Sequence, residues 1–338
     1  MGKIKCAVVG CGAIAPLHLQ AISHISEVTL VAVCDIKKER ADKWAQAYGI
    51  SSYTDYKEML LTERPDVLHI CLPHYLHTEV ARFAFENGIN VLSEKPMSIS
   101  YGDAVSAVEL AEEKGVLYGV IFQNRYNQSS RFVKGKILDG SLGRVLGARV
   151  TLSWEKSMDY YTESDWKGTW EKEGGGVVIN QAIHSIDLAN WLIDSIPVDV
   201  QSSLYNRVHP VIEVEDSAEG LVTYENGVVM AFYVMNNYVI DDSVEVRIAC
   251  EKGRVILSGN FAKIYYKDGR VEDMENVEEK TPDDKKDYWG NSHGKQISQF
   301  YKAVRGEEPL EIDGREALKI QYLVSKIYEG SFENKCLK

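Results

Sequence analysis

"VVGCGAIAPLH", residues 8–18, decides the fold of the first part of the chain. An apolar, strand-like run ends at Gly10, and a helix-compatible segment begins at Ala15. The spacing matches G-x-G-x-x-G/A, in which the first glycine permits a tight turn and the second lets the backbone approach a pyrophosphate. The following helix N-terminus offers free N–H groups to phosphates. We therefore predict a dinucleotide site that includes Gly10, Gly12, Ala13 and Ile14.

Strand-like and helix-like patterns alternate over the first 125 residues. The apolar runs are "IKCAVVG", "VTLVAVCD", "VLHICLP", "NVLSEKP" and "LYGVIFQN". The helix-compatible stretches between them are Ala15–Ser26, Lys37–Tyr48, Asp55–Leu61, Thr78–Asn87 and Tyr101–Lys114. This alternation predicts that residues 1–125 form an α/β domain with a doubly wound parallel sheet of the Rossmann type.

The pattern changes after about residue 126. Four long segments have β-character: "GRVLGARVTLSWE", "VDVQSSLYNRV", "SAEGLVTYENGVVMAFYVM" and "SVEVRIACEKGRVILSG". Helices are expected at Gly174–Trp191, Gln296–Arg305 and Gly314–Glu329, and the acidic segment Val271–Asp287 is expected to be a solvated loop or edge. Residues 126–338 are therefore predicted to form an α+β domain with a large, mostly antiparallel open sheet.

Composition limits the classes of function. The 338 residues carry a net charge of -12, which disfavours nonspecific binding to nucleic acids. No apolar run approaches membrane-spanning length, and "MGKIKCAVVG" lacks the features of a signal peptide. The six cysteines have no metal-site spacing, so we expect reduced, mostly buried thiols, no metal, and a cytoplasmic protein.

Asp35 ends the second predicted strand. A carboxylate there can accept hydrogen bonds from both adenosine ribose hydroxyls and would repel a 2'-phosphate, so NAD is favoured over NADP. The structural alternative is that Asp35 caps the following helix. Lys37 and Lys38 lie near enough to weaken the case against NADP.

Two further strand ends carry candidate residues. In "LSEKP", Glu94 could position Lys95 or bind the cofactor, and Lys95 could exchange a proton with a substrate hydroxyl or carbonyl. In "CLPHYLH", Leu72 and Pro73 are expected to pass under the cofactor. His74 and His77 could contact a ribose or cap the next helix, and both alternatives remain open.

"GGGVVINQAIHSIDLANWL", residues 174–192, contains Asn180, His184 and Asp187. Spacings of four and three residues place the three side chains on one helix face. The spacing alone fits a buried polar seam as well as half of an active site.

Taken in order, "GCGAIAPLH", "CLPHYLH", "EKP" and "GGGVVINQAIHSID" resemble the Gfo/Idh/MocA family of NAD(P)-dependent oxidoreductases. The resemblance extends to "YWGNSHGKQISQF" near the C-terminus. It implies that Lys95 lies beside the nicotinamide and that His184 reaches in from the second domain. It also implies that the open sheet mediates assembly, so we expect a homodimer or homotetramer. Residues that the resemblance brings near the cleft or cofactor are Asn124, Arg125, Trp166 and Lys167.

Asn180 departs from the family pattern, because many sugar and cyclitol dehydrogenases of the family carry Asp there. An amide cannot accept a proton, so Lys95 and His184 remain the acid/base candidates. Asn180 could instead bind a substrate hydroxyl or the nicotinamide ribose. Asp187 could bind substrate, fix the His184 tautomer or make a structural hydrogen bond.

The expected reaction is reversible hydride transfer between NAD and a secondary alcohol of a sugar, sugar derivative or cyclitol. The alternatives are a glycosidase that uses NAD for transient oxidation and elimination, and a noncatalytic NAD-binding sensor. Candidate groups for holding a polyol substrate are Tyr160, Tyr161, Trp170, Asn180, Tyr288 and His293.

Overall fold

The computed structural model describes residues 2–259, 261–275 and 292–332. The chain divides into two compact units. The first comprises Met1–Ile121 and His293–Gln321, and the second comprises Phe122–Ser292 and Tyr322–Lys338.

The first unit contains a six-stranded parallel sheet with strand order β3-β2-β1-β4-β5-β6. Strands β1 to β6 are Ile4–Val9, Val28–Cys34, Ser51–Tyr53, Val67–Ile70, Asn90–Ser93 and Tyr118–Val120. The central strands are buried, which explains their continuous apolar runs and confirms the predicted Rossmann sheet. Of these six strands, β3 alone has no counterpart among the predicted strands, because its sequence "SSY" has no apolar run.

The helices of this sheet follow the predicted alternation. Helices α1 to α5 are Ala15–Ser23, Lys38–Tyr48, Tyr56–Glu63, His77–Glu86 and Tyr101–Lys114. Helix α5 has the predicted bounds, because Ser100 caps its first turn and Gly115 ends it with a φ of 66°.

The second unit contains an eight-stranded sheet with order β14-β13-β12-β11-β7-β10-β9-β8. Strands β7 to β14 are Val145–Ser153, Pro197–Tyr205, Ser217–Tyr224, Val229–Met235, Glu245–Cys250, Gly253–Ser258, Phe261–Tyr266 and Val271–Glu275. Only β7 and β10 pair in parallel, so the prediction of a mostly antiparallel sheet is confirmed. The acidic segment begins as the edge strand β14, and its residues 276–287 lie outside the described part of the chain.

The remaining helices α6 to α10 are Gln128–Leu138, Met158–Thr162, Ile183–Ile193, His293–Val304 and Gly314–Phe332. Helix α9 buries Ile297, Phe300 and Tyr301 in the core that contains β1. The segment 293–321 therefore belongs to the first unit, whereas the predicted boundary at residue 125 placed it in the second. Its amphipathic pattern shows that one face is buried but does not identify the core that receives it.

Among the described residues, none of the helices combines the length and the apolar composition that spanning a bilayer requires. The same residues contain no group of three His, Cys, Asp or Glu side chains placed to hold a metal ion. Five cysteines are buried free thiols, and Cys336 lies outside the described ranges.

Candidate active site

The glycine loop joins β1 to α1 in the first unit. Gly10 has a φ of +88°, and a Cβ there would lie 2.2 Å from the Cys71 carbonyl oxygen, so the position requires glycine. A Cβ on Gly12 would meet nothing within 4 Å, so the loop backbone borders open space at this point. Helix α1 begins at the buried Ala15 with no side-chain cap on its N-terminal N–H groups. This combination fits the diphosphate of a dinucleotide.

Asp35 lies beside this loop at the end of β2 and is 8% exposed. Its Oδ2 accepts a hydrogen bond from the Cys11 N–H at 2.8 Å, and its Oδ1 accepts one from the Lys37 N–H at 2.8 Å. The N-cap of α2 is Lys37, so Asp35 forms a turn before the helix and does not cap it. The carboxylate is therefore held as an acceptor where this fold binds an adenosine ribose.

The segment after β4 contains two half-buried apolar residues, Leu72 and Pro73, followed by His74 in a short 3-10 turn. His77 is fully buried, and its Nδ1 and Nε2 each lie 2.7 Å from a backbone carbonyl oxygen, those of Pro96 and Leu72. His77 thus joins the segment after β4 to the segment after β5. It does not cap α4, and both of its ring nitrogens face backbone carbonyls, so its contacts favour neither of its predicted roles.

Glu94 and Lys95 follow β5. Glu94 is 6% exposed, and its Oε1 lies 3.1 Å from His18 Nε2 and 3.4 Å from His293 Nε2. Burial disfavours the charged form, but the hydrogen bonds from His18 and His293 outweigh it and hold the pKa of Glu94 well below its ordinary value. Lys95 is half-buried, and its backbone N–H donates to Glu94 Oε2 at 3.2 Å. His293, predicted to bind substrate, therefore contacts Glu94 at the start of α9.

In the second unit, the three-glycine run passes through a space that excludes side chains. A Cβ on Gly176 would lie 1.8 Å from the Glu215 carbonyl oxygen, and one on Gly175 would lie 1.9 Å from the Tyr328 hydroxyl. Residues Val178–Ala182 then form a π-helical turn, and α8 begins only at Ile183. The predicted helix Gly174–Trp191 thus starts too early, because close packing requires these glycines and sets their non-helical path.

Asn180 lies in this π-helical turn, a feature that is frequent at functional sites. Its Nδ2 donates to Glu173 Oε1 at 2.5 Å and to the Tyr160 hydroxyl at 3.2 Å. The Lys167 Nζ lies 3.4 Å from the centre of the Tyr160 ring. The structure therefore brings three predicted site residues together, namely Tyr160, Lys167 and Asn180.

Glu173 is the residue of this cluster that sequence reasoning missed. It is 1% exposed, and burial raises its pKa to about 7, although hydrogen bonds from Gly168 and Asn180 act in the opposite direction. In "EKEGGG" it resembles one member of a charged surface run, so no sequence signal identified it.

Asp187 is fully buried and forms a two-pronged ion pair with the buried Arg125. The Arg125 Nε donates to Oδ2 at 2.8 Å, and its Nη2 donates to Oδ1 at 2.6 Å. His184 is half-buried and packs edge-on against Phe122, with ring centres 6.0 Å apart. The contacts of Asp187 favour its structural alternative over the substrate-binding and His184-orienting roles.

The other predicted residues of the second unit have varied surroundings. The Trp170 indole N–H donates to the Glu213 carbonyl at 3.0 Å, and its ring packs against Tyr328. Tyr161 is 4% exposed and accepts a hydrogen bond from Asn236, so it belongs to the core. Trp166 is half-buried near Lys167.

Asn124 is 1% exposed, and neither atom of its amide has a hydrogen-bond partner among the residues described. Tyr288 lies outside the described residues.

Two family descriptions match the chain. "Oxidoreductase family, NAD-binding Rossmann fold" matches residues 4–122, and "GFO/IDH/MocA C-terminal domain" matches residues 131–256. The chain belongs to the GFO/IDH/MocA family. It is an NAD-dependent oxidoreductase, and the sequence resemblance is confirmed.

Relatives of this GFO/IDH/MocA protein differ in what they act on. D-glucoside 3-dehydrogenase of Escherichia coli (strain K12) is 25% identical over 97% of this chain and 95% of its own length. The WlbA dehydrogenase of Bordetella pertussis, solved with NADH and UDP-GlcNAcA, is 28% identical with a TM-score of 0.85, covering 98% of this chain and 97% of its own. 2,7-anhydro-N-acetylneuraminate hydratase of Mediterraneibacter gnavus is 28% identical over 62% of this chain and 54% of its own length.

Proposed function

We propose that this protein catalyses reversible hydride transfer between NAD and a secondary alcohol of a sugar, sugar derivative or cyclitol. The observation that carries the proposal is the half-buried Lys95 at the carboxyl end of β5, in the same sheet whose β1 and β2 ends hold the glycine loop and Asp35. Ligands of open α/β sheets bind at this edge. The similarity to a glucoside dehydrogenase and to WlbA supports a sugar-type substrate.

NAD, when bound, supplies the hydride acceptor. In the oxidative direction, Lys95 removes the proton from the substrate hydroxyl, and His184 is the second acid/base candidate. Asn180, Tyr160 and Lys167 hold hydroxyl groups of the substrate, with Asn180 fixed by its hydrogen bond to Glu173. The residues proposed to hold the cofactor are Gly10, Gly12, Ala13, Ile14, Asp35, Leu72, Pro73, His74, Glu94, Lys95, Asn124 and Trp166.

The test is a substrate screen that follows the absorbance of the reduced nicotinamide, with NAD and NADP supplied in separate assays. The panel contains polyols, free sugars, glycosides and nucleotide-linked sugars, including UDP-GlcNAcA because WlbA was solved with it. Lys95→Ala should abolish turnover while NAD affinity changes little, and Lys43→Ala, at an exposed lysine of the same unit, is the matched control. Full activity of Lys95→Ala would overturn the assignment.

A second candidate is elimination through transient oxidation, and the similarity to a hydratase favours it. In that reaction the hydride returns to the substrate, so product forms without net NADH. Product analysis by mass spectrometry in the same screen separates the two reactions, since a dehydrogenase forms NADH and oxidised product in equal amounts.

We further propose a cytoplasmic homodimer or homotetramer. Five buried free thiols support a reducing compartment. The eight-stranded sheet exposes apolar side chains at Leu221, Val229 and Tyr233, which supports burial of this face between copies. Light scattering should show an oligomer, and Leu221→Glu should dissociate it; a monomeric wild-type protein would contradict the assembly.

A further inference from the structure

A chain of hydrogen bonds connects the core of the first unit to Glu94. The Tyr301 hydroxyl lies 2.8 Å from His69 Nε2, and His69 Nδ1 lies 2.9 Å from His18 Nδ1. His18 Nε2 lies 3.1 Å from Glu94 Oε1. Tyr301, His69 and His18 are each 0% exposed, and they come from three elements, α9, β4 and α1. We call these three residues and Glu94 the relay.

For a neutral His18 ring, the acceptor at the Glu94 end sets the direction of every hydrogen bond in the relay. The Glu94 carboxylate can only accept, so His18 donates from Nε2. With neutral His18, its Nδ1 accepts and His69 Nδ1 donates to it. His69 Nε2 is then an acceptor, and the Tyr301 hydroxyl donates a hydrogen bond to it. Each buried ring nitrogen and the hydroxyl then has a suitable partner.

The surroundings of Tyr301 and His69 agree with hydrogen bonds that are donated along the relay from Tyr301 toward Glu94. Burial raises the pKa of the Cys6 thiol to about 12, so Cys6 keeps its proton beside Tyr301 and leaves the hydroxyl free to donate to His69. Burial also lowers the pKa of His69 well below its ordinary value and keeps that ring neutral. A cationic His18 would reverse the His69 tautomer and leave the Tyr301 proton with only the weak sulfur acceptor of Cys6.

We infer that Tyr301, His69 and His18 are positioning residues that hold Glu94 as a carboxylate next to Lys95. The inference rests on the proposed function, since it gives the relay a role at the cofactor edge of the sheet. A buried anion there favours the cationic oxidised nicotinamide over the neutral reduced one. The relay thereby biases the protein toward binding NAD in its oxidised form.

Other titratable groups surround Glu94. His293 Nε2 lies 3.4 Å from its Oε1, and Lys95 follows it directly and donates a backbone N–H. Cys71 and His77 lie close enough to feel its charge, and burial raises the pKa of Cys71 and lowers that of His77. Because these groups also influence Glu94, the test targets the end of the relay that does not touch them.

The first test needs neither cofactor nor substrate. Nitrogen-15 NMR of histidine-labelled wild-type protein near neutral pH should show His18 protonated on Nε2 alone and His69 protonated on Nδ1 alone. Loss of the two signals in His18→Gln and His69→Gln variants assigns them. An imidazolium His18, or His69 protonated on Nε2, overturns the relay whatever reaction the enzyme catalyses.

The second test compares two buried tyrosines. Tyr301→Phe removes the donor to His69, so the relay loses its preferred direction and Glu94 becomes easier to protonate. Tyr118 is 3% exposed, and its hydroxyl has no hydrogen-bond partner in the described ranges, so Tyr118→Phe is the matched control. In titration calorimetry, the pH at which protonation of Glu94 halves the affinity for oxidised relative to reduced NAD should rise by about one unit, the equivalent of a tenfold change, in Tyr301→Phe and remain unchanged in Tyr118→Phe.

The possible results distinguish a failure of the relay from a failure of the proposed function. An equal effect of both phenylalanine variants, or none in Tyr301→Phe, overturns the role of the relay at the cofactor edge. Absence of turnover with every substrate would count against the proposed function and would leave the tautomers and the affinity ratio as they are.

Discussion

Replacing the buried Glu173 by glutamine should change how the stability of the protein depends on pH. Burial raises the pKa of Glu173 to about 7 in the folded protein, against an ordinary value of 4.5. Between pH 4.5 and about pH 7, Glu173 keeps its proton in the folded state, whereas in the unfolded chain it has released that proton. Stability from this group is therefore fully present below about pH 4.5 and is lost as pH rises through about 7.

The pKa difference sets the size of the effect. At about 1.36 kcal/mol per pKa unit, the carboxylate of Glu173 costs the folded state about 3 kcal/mol above pH 7. Glutamine cannot ionise, so Glu173→Gln avoids this cost. The amide also disturbs the bonds from Gly168 and Asn180, but that cost is the same at every pH. Relative to wild type, the variant should therefore gain up to about 3 kcal/mol between acidic and alkaline conditions.

Urea unfolding at about pH 5 and about pH 8, followed by tryptophan fluorescence, measures this difference. Comparison with wild type at the same pH cancels contributions common to both proteins, including those of the buried histidines. Glu171→Gln is the control, because Glu171 is exposed and loses little solvation on folding. A stability difference between Glu173→Gln and wild type that stays constant within about 0.5 kcal/mol would refute the reasoning.

Three other substitutions test single contacts. Asp35→Asn should reduce the preference for NAD over NADP about tenfold or more, because it removes the charge that opposes a 2'-phosphate; equal affinity ratios in variant and wild type, measured by titration calorimetry, would contradict this. Asp187→Ala should destabilise the protein by about 3–5 kcal/mol, since it leaves the Arg125 guanidinium buried without its partner; an unchanged urea midpoint would exclude a stabilising ion pair. Gly176→Ala should lower the melting temperature or prevent folding, because its Cβ would lie 1.8 Å from the Glu215 carbonyl oxygen, whereas Gly135→Ala, in α6 with nothing within 4 Å, should be neutral or stabilising.

The placement of the candidate cofactor residues in the first unit was largely predictable from sequence. Gly10, Gly12 and Asp35 are consecutive strand-end features of an alternating domain, and local spacing is enough to place them at one sheet edge. The relay could not be predicted in this way. His69 and Tyr301 are 232 positions apart, and each alone is one more polar residue in an apolar segment.

The sequence by itself determined the types of the two sheets, the approximate places of most helices, the NAD cofactor and the family, because periodicity and short motifs are local properties. The tertiary structure alone decided which partner each polar side chain received. It paired Asp187 with Arg125, placed His293 on Glu94 and buried Glu173 behind Asn180. The physical reason is that charge state and hydrogen-bond direction depend on burial and on residues distant along the chain, neither of which local spacing specifies.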